Sequence, residues 1–411
     1  MNITLSHPTK SIKGKIQLTS SKSESNRALI IQALCNDDFL IHNLSDSTDT
    51  QTLKRLLYSG LQEMNVNDAG TTMRFLTAYL SLQKGHRILT GSERMKERPI
   101  KILVDALRKL DANIECLEKE GFPPIKIIGK ELLGGQINVD GSVSSQYISA
   151  LLMVAPKLKN GLVIHFSGTI ISKPYINMTI KMMQYFGIEV FWDQDSNSII
   201  IKEGKFFAKD YEVEADWSAA SYWYSMVAMA KEADITLYGL KENSLQGDAE
   251  VRIIYENFGV KTTFVDGGVH LTKTSDSKFQ TSNIEINFTN FPDLAQSVAV
   301  TCAGLNINAK LTGLGSLRIK ETNRIDALQT ELNKLGFNVA TDEIDLLIDP
   351  VSSAIKWKGK QVVNTYNDHR MAMAFAPLAF INEISINDPE VVKKSYPKFW
   401  EDLGKVGIEF N

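Results

Sequence analysis

The sequence predicts an α/β (α+β) protein in two lobes, each built from three copies of one βα-rich unit around buried helices. Three observations carry this reading. At 411 residues the chain is too long for one comfortable hydrophobic core and long enough for two or three. Its composition, 43% hydrophobic and 23% charged, is that of a globular chain rather than a disordered or fibrous one. Two independent landmarks also recur along it with the same period.

The first landmark is an amphipathic helical stretch, then a small residue, then alternating apolar positions. It is seen in LRKLDANIEC, MQYFGIEVFW, YENFGVKTTF and LNKLGFNVAT, with weaker copies in LLYSGLQEM and the terminal VGIEF. The small residues Gly60, Ala112, Gly187, Gly259, Gly336 and Gly407 are separated by 52, 75, 72, 77 and 71 positions. Glycine just past a helix enters the left-handed region without a Cβ clash, so each copy predicts a helix stopping and a strand starting. The short first interval predicts a first unit trimmed by about twenty residues between Thr52 and Val66.

The second landmark is a small or polar opening followed by a largely apolar body. Its copies are SKSESNRALIIQAL, AGTTMRFLTAYL, SSQYISALLMVA, DWSAASYWYSMVAMA, PDLAQSVAVTCAGL and DHRMAMAFAPLAF. A helix apolar nearly all round is buried. The marks Thr71, Ser145, Trp217, Asp293 and His369 lie 74, 72, 76 and 76 positions apart, in step with the first landmark. Solenoid repeats, at roughly 20 to 50 residues, are shorter than this. Six units divided three and three place the break near KDYEVEAD, residues 209–216.

Several function classes are excluded. Lys and Arg number 45 against 48 Asp and Glu, a net charge of −3, so no global basic field gathers nucleic acid or an anionic membrane. Any anion site must be local. Cys35, Cys116 and Cys302 lie far apart with no CxxC spacing, which excludes a disulfide framework and a zinc ribbon. The six histidines show no i,i+4 pairing, and no acidic cluster resembles a cation cage. Neither GxxxxGK[ST] nor a strand-borne GxGxxG is present, which argues against a nucleotide cofactor. The start, MNITLSHPTKSIKG, has no apolar signal core, and no apolar run reaches about 18 residues, so a soluble, cytoplasmic protein is expected.

The openings of the buried helices carry the chemistry. Free backbone N–H groups and a positive dipole end favour anions there, although Ser and Asp are also ordinary N-caps. SKSESNR places Lys22, Ser23, Ser25 and Arg27 at one mouth. ERMKERPI holds Arg94, Lys96 and Arg98, with Pro99 fixing the backbone after Arg98. RIKETNR puts Arg318, Lys320, Glu321 and Arg324 on a helix opening, where Lys320 and Arg324, as i,i+4 neighbours, would repel unless an anion lies between them. Arg370, in NDHR, opposes the helix dipole. Both placements become favourable around a bound phosphate or carboxylate. Glu321 by itself reads as an ion pair and Asp293, after Pro292, as an N-cap.

SKSESNRALI, AGTTMRFL, RMKERPI, SVSSQYISALLM, SKPYI, RIKETNR, YNDHRMAMAF and KKSYPKFW follow, in order, the motif series of the 5-enolpyruvylshikimate-3-phosphate synthases, and the chain resembles that enolpyruvyl transferase family from about residue 14 to 403. The resemblance implies the two-lobe fold of six βαβαββ-type units around buried parallel helices. Its lobes would be residues 20–213, mainly binding shikimate 3-phosphate, and 1–19 plus 214–411, with phosphoenolpyruvate and the catalytic residues in a cleft between them. It implies transfer of the enolpyruvyl group of phosphoenolpyruvate to the 5-hydroxyl of shikimate 3-phosphate, the sixth step of the shikimate pathway. Carried over by motif, Lys22, Gly70, Arg98, Gln146, Arg324, Arg370 and Lys394 would hold phosphoenolpyruvate. Ser23, Arg27, Ser144, Ser145, Gln146, Ser172, Tyr175, Asp293 and Lys320 would hold shikimate 3-phosphate. Glu321 would be the acid at carbon and Asp293 the partner of the hydroxyl, with Lys22 assisting. The family implies no cofactor, no metal, a monomer, and glyphosate as an inhibitor.

Three positions depart from the family pattern: Asp68 where Asn is usual, Phe75 where Pro is common, and Ser316 where Asn is frequent. The sister family that uses UDP-N-acetylglucosamine carries a mobile-loop cysteine, and RMKERPI has none.

Overall fold

The structure, a computed structural model, describes residues 1–274, 283–352, 357 and 361–411. It divides into two compact units, Ser21–Val213 and Met1–Ser20 with Glu214–Asn411. Ser20, assigned with the first lobe in the sequence reading, falls in the second unit.

Six buried helices recur at the marked positions: Lys22–Leu34, Gly70–Leu80, Ser145–Val154, Trp217–Met229, Ala295–Gly304 and His369–Phe375. Their bodies are apolar on every side and have no solvent face to offer. In Trp217–Met229 every residue except Ser218 is buried. The few hydroxyls inside satisfy one another, as burial requires: Ser225 bonds Thr301 at 2.7 Å, and Tyr255 bonds Thr301 at 2.9 Å.

Each buried helix lies in a repeat of strand, helix, strand, helix and hairpin. In the unit Ser21–Val213 one sheet orders its strands Glu63–Asn65, Gly85–Thr90, Ile125–Gly129 and Asn113–Cys116. The first pair is parallel, joined through the helix Gly70–Leu80, and the rest is antiparallel. The strands Gly135–Asp140, Leu162–Ser167, Ser198–Ile201 and Val190–Asp193 repeat that arrangement. The first repeat keeps only its parallel pair, Tyr211–Glu212 beside Ile41–His42. Its helix Thr48–Leu57 runs on, past Gly60, to the first strand of the next sheet, so the trimmed element is the hairpin.

Among its described residues the second unit holds three four-stranded sheets of the same order. In its last sheet the hairpin partner is the amino-terminal strand Asn2–Ser6, antiparallel to both Ile384–Asn387 and Glu409–Phe410. One apolar core runs through this unit, with Trp217, Trp223, Tyr224 and Phe288 fully covered.

The helix-stop glycines Gly60, Gly187, Gly259, Gly336 and Gly407 all have φ between 64° and 93°. The Ala112 copy differs. There the left-handed residue is Asp111, at φ 72°, because alanine carries a Cβ and an Asp tolerates this region better.

Candidate active site

In the unit that holds Glu214–Asn411, three helix openings bring six of the expected residues together. Asp293 sits on the short turn Pro292–Leu294 that leads into Ala295–Gly304. Its carboxylate accepts from Arg324 Nη1 at 3.0 Å and from Arg370 Nη2 at 2.9 Å, and Lys320 Nζ stands 4.0 Å away. Glu321 accepts from Arg324 Nη2 at 2.9 Å, and its other oxygen faces Lys394 Nζ at 3.8 Å. Arg370 Nη1 donates to the Asp293 carbonyl at 3.2 Å and to Tyr222 Oη at 3.3 Å.

Two sequence arguments are corrected here. The helix begins at Arg324, not earlier, because Asn323 caps it by accepting from the Asp326 N–H. Lys320 and Arg324 are therefore not helical neighbours, and the anion between them is the protein's own Asp293. Arg318 does not join the cluster: it donates to Asp326 at 2.8 Å and to the Glu343 carbonyl at 2.8 Å. Likewise the Arg370 guanidinium at the helix start is met by the Asp293 carboxylate, at 2.9 Å. The two cation placements are thus balanced within the protein and do not by themselves require a ligand.

Asp368 is one residue of this cluster that sequence reasoning missed. It caps His369–Phe375 and, fully buried, accepts from Arg324 Nε at 2.7 Å. The motif YNDHR contained it, but nothing in the sequence said that its partner lay 44 positions away. Four cations (Lys320, Arg324, Arg370, Lys394) and three carboxylates (Asp293, Glu321, Asp368) leave this group one positive charge in excess.

The electrostatics follow. Burial alone would raise the Asp293 carboxyl, but Arg370, Lys320 and Arg324 overcome it and hold the group well below the ordinary carboxylate range. Burial would lower Arg324, yet Asp368, Glu321 and Asp293 push it above its usual value. Tyr222 is pushed up to about 12, chiefly by burial and against the pull of Arg370 and Arg324.

The unit Ser21–Val213 carries the remaining expected residues. Lys22, the first residue of its helix, donates to the buried Asp49 at 3.1 Å, a partner the sequence did not reveal. Arg27 lies inside: Nε donates to Thr179 Oγ1 at 2.7 Å, Nη1 to the Ser23 carbonyl at 2.8 Å, and Nη2 to Ser149 Oγ and the Tyr175 carbonyl at 3.0 and 3.2 Å. Burial pulls its pKa down to about 10, which leaves it charged at neutral pH. Phe75 provides the surface beneath it, with the ring centroid 5.5 Å from the guanidinium carbon.

Gly70 opens its helix directly against Arg98. A Cβ at Gly70 would come within 2.8 Å of the Arg98 guanidinium nitrogens. Arg74 braces the same loop, donating to the Gly70 carbonyl at 3.1 Å and the Pro99 carbonyl at 3.2 Å. Asp68 accepts from Ser92, the cap of the short helix Glu93–Lys96, so its charge is spent on holding that loop. Arg94 and Lys96, by contrast, pair with surface acids. Gln146 Nε2 donates to Thr71 Oγ1 at 3.1 Å, and Ser144 caps the helix that begins at Ser145. Ser172 is buried at φ 52°, immediately before the helix Lys173–Tyr185 that carries Tyr175.

A family model described as EPSP synthase (3-phosphoshikimate 1-carboxyvinyltransferase) matches residues 57–403. The chain belongs to the EPSP synthase family. A relative named 3-phosphoshikimate 1-carboxyvinyltransferase from Bacteroides fragilis is 48% identical, covering 99% of this chain and 98% of its own. Another of that name from Sulfurovum sp. is 36% identical over 99% of each chain. Among solved structures, EPSP synthase from Acinetobacter baumannii matches with TM-score 0.78 at 22% identity, over 100% of this chain and 99% of that one. The enolpyruvyl transferase NikO from Streptomyces tendae matches with TM-score 0.75 at 13% identity, over 100% and 98%. These two establish the enolpyruvyl-transferase fold that the motif resemblance implied. Lys22, Ser23 and Arg27 precede the residues matched by the EPSP synthase family model, while the full-length relatives span them.

Proposed function

We infer that this chain transfers the enolpyruvyl group of phosphoenolpyruvate to the 5-hydroxyl of shikimate 3-phosphate, releasing inorganic phosphate, in the shikimate pathway to chorismate and the aromatic amino acids. The observation that carries the reading is the EPSP synthase family match over 57–403. The chemistry of the two residue groups supports it: both substrates are multiply anionic, and Arg and Lys bind such oxygens as forks and point charges.

Phosphoenolpyruvate is held by Lys22, Arg98, Arg324, Arg370 and Lys394, with Gly70 and Gln146 beside it. Shikimate 3-phosphate is held by Ser23, Arg27, Ser144, Ser145, Gln146, Ser172, Tyr175, Asp293 and Lys320. Glu321 delivers a proton to the methylene carbon, and Asp293 receives the hydroxyl hydrogen bond, with Lys22 assisting. A carboxylate held as low as Asp293 is a weak base while three cations face it alone. Substrate anions that draw Arg370, Arg324 and Lys320 onto themselves relieve this depression and raise its basicity as the reaction begins. The tetrahedral adduct then loses phosphate by the reverse proton movements. The methyl group returns a proton to the Glu321 carboxylate as the bond to the phosphate oxygen breaks, the phosphate leaves with the proton taken from the hydroxyl, and the cations stabilise the leaving charge.

The same proposal makes the enzyme a cytoplasmic monomer and makes glyphosate a competitor of phosphoenolpyruvate. The test is phosphate release from phosphoenolpyruvate with shikimate 3-phosphate, with UDP-N-acetylglucosamine and with no acceptor. Release with shikimate 3-phosphate alone is expected. Equal release with the nucleotide sugar would overturn the acceptor assignment.

A further inference from the structure

Just before Asp368 the chain makes a turn that a bulky side chain does not favour. Tyr366 and Asn367 have φ of 55° and 56°, and the Asp368 N–H closes the turn on the Thr365 carbonyl at 2.9 Å. Two successive left-handed residues mark a turn of the primed kind, which suits Gly, Asn and Asp. Asn367 fits that preference. Tyr366 does not, since its Cβ meets the steric cost of this region, about 1 kcal/mol or somewhat more.

Something must hold Tyr366 there, and Glu331 does. This side chain, buried on the helix Arg324–Lys334, accepts from Tyr366 Oη at 2.7 Å, from the Asn364 backbone N–H at 3.2 Å and from Asn364 Nδ2 at 3.4 Å. Lys334 on the same helix faces it as a counter-charge. Burial and the bond to Glu331 push the Tyr366 hydroxyl up to about 12, so it stays a donor throughout the physiological range.

The helix that anchors the turn is the one that starts with Arg324, and the residue leaving the turn is Asp368, which binds Arg324 and caps the helix bearing Arg370. The turn therefore sets the geometry of both arginines from one point. We propose that Tyr366 and Glu331 are positioning residues for the transfer reaction, pinning a strained turn so that Asp368 holds Arg324 and Arg370 in register. This rests on the function inferred above.

The test uses the full chain and compares wild type with Tyr366→Phe, Tyr366→Gly, Glu331→Ala and Glu331→Gln. Wild-type phosphate release with shikimate 3-phosphate is measured first, and its absence refutes the functional reading alone. Binding of phosphoenolpyruvate, followed by calorimetry, then reads the positioning role without turnover. Tyr366→Phe and Tyr366→Gly should each weaken phosphoenolpyruvate about five- to tenfold, the scale of one ordinary hydrogen bond. KM for shikimate 3-phosphate should change less than about twofold on the same scale. Both substitutions lose the bond to Glu331, but glycine also relieves the backbone strain, so Tyr366→Gly should lose less Tm than Tyr366→Phe while losing as much affinity, which a merely structural role would not produce. Glu331→Gln, which still accepts from Tyr366, should recover most of the affinity that Glu331→Ala loses. Wild-type phosphoenolpyruvate affinity in both Tyr366 variants overturns the proposal, whatever their Tm.

Discussion

Asp293 and Arg370 are joined twice, once through the carboxylate at 2.9 Å and once through the Asp293 backbone carbonyl at 3.2 Å. The double contact ties the opening of one buried helix to that of the next. It also fixes the carboxylate's direction, since its second oxygen is taken by Arg324 at 3.0 Å. An anion that binds Arg370 or Arg324 must therefore compete with Asp293, and the cluster is a set of ion pairs ready to be exchanged.

That competition gives a pH signature. The folded-state pKa of Asp293 is depressed below the ordinary carboxylate value, so the stability it contributes is complete above the unfolded pKa and is lost as pH falls through the folded one. The difference in urea midpoint between wild type and Asp293→Asn should be flat above about pH 5 and shrink only below about pH 4. A difference that instead grows as pH falls from neutrality to pH 5 would mean that the folded pKa is raised.

Glu321 keeps its hydrogen bond to Arg324 if it becomes glutamine, because the amide oxygen still accepts. Glu321→Gln should therefore fold with nearly unchanged Tm and bind both substrates with KM within about threefold. Turnover should fall by at least about 100-fold, the usual weight of a positioned acid. Unchanged turnover removes Glu321 as the acid.

The fold was readable because its signals are local. An all-apolar helix body and a glycine at a helix stop each declare themselves within a dozen residues, and six copies reinforce one another. The amino-terminal strand's pairing with Ile384–Asn387 has no such signature. The site was legible only in part, for the same reason. Arg324 and Arg370 stood out as misplaced cations, but Asp293, which pairs with both, and Asp368, which pairs with Arg324, each come from a helix opening other than that of the arginine they balance. Lys22 and Asp49, 27 positions apart, are a further case. Arg318 shows the opposite error: a cation inside the right motif whose partners lie outside the cluster.

Arg324 tests how far binding and folding are coupled here. Its side chain is 2% exposed and bridges Asp368, Asp293 and Glu321, so truncation leaves a fully buried Asp368 without its guanidinium. Arg324→Ala should cost about 3–5 kcal/mol of stability, the scale for breaking a buried pair by removing one partner. Phosphoenolpyruvate affinity should fall with it. Arg324→Lys keeps the charge but loses the fork, and should recover more stability than affinity. Saturation with phosphoenolpyruvate at wild-type concentrations in either variant would discount the anion clamp.

Gly70 tests the phosphoenolpyruvate assignment in the other unit. An added methyl would press on the Arg98 guanidinium, the far end of a flexible side chain, at 2.8 Å, so Arg98 moves and the helix stays. Gly70→Ala should therefore leave Tm nearly unchanged while raising KM for phosphoenolpyruvate. Glyphosate should compete with phosphoenolpyruvate in the wild type, and the alanine variant should need more of it for the same inhibition. Phe75 bears on the outcome because it lies on the same helix, about one and a half turns along, buried beneath Arg27. Inhibitor titrations at several phosphoenolpyruvate concentrations decide the matter. A wild type indifferent to millimolar glyphosate would refute the competition, and an unchanged KM for phosphoenolpyruvate in Gly70→Ala would show that Gly70 does not border the phosphoenolpyruvate site.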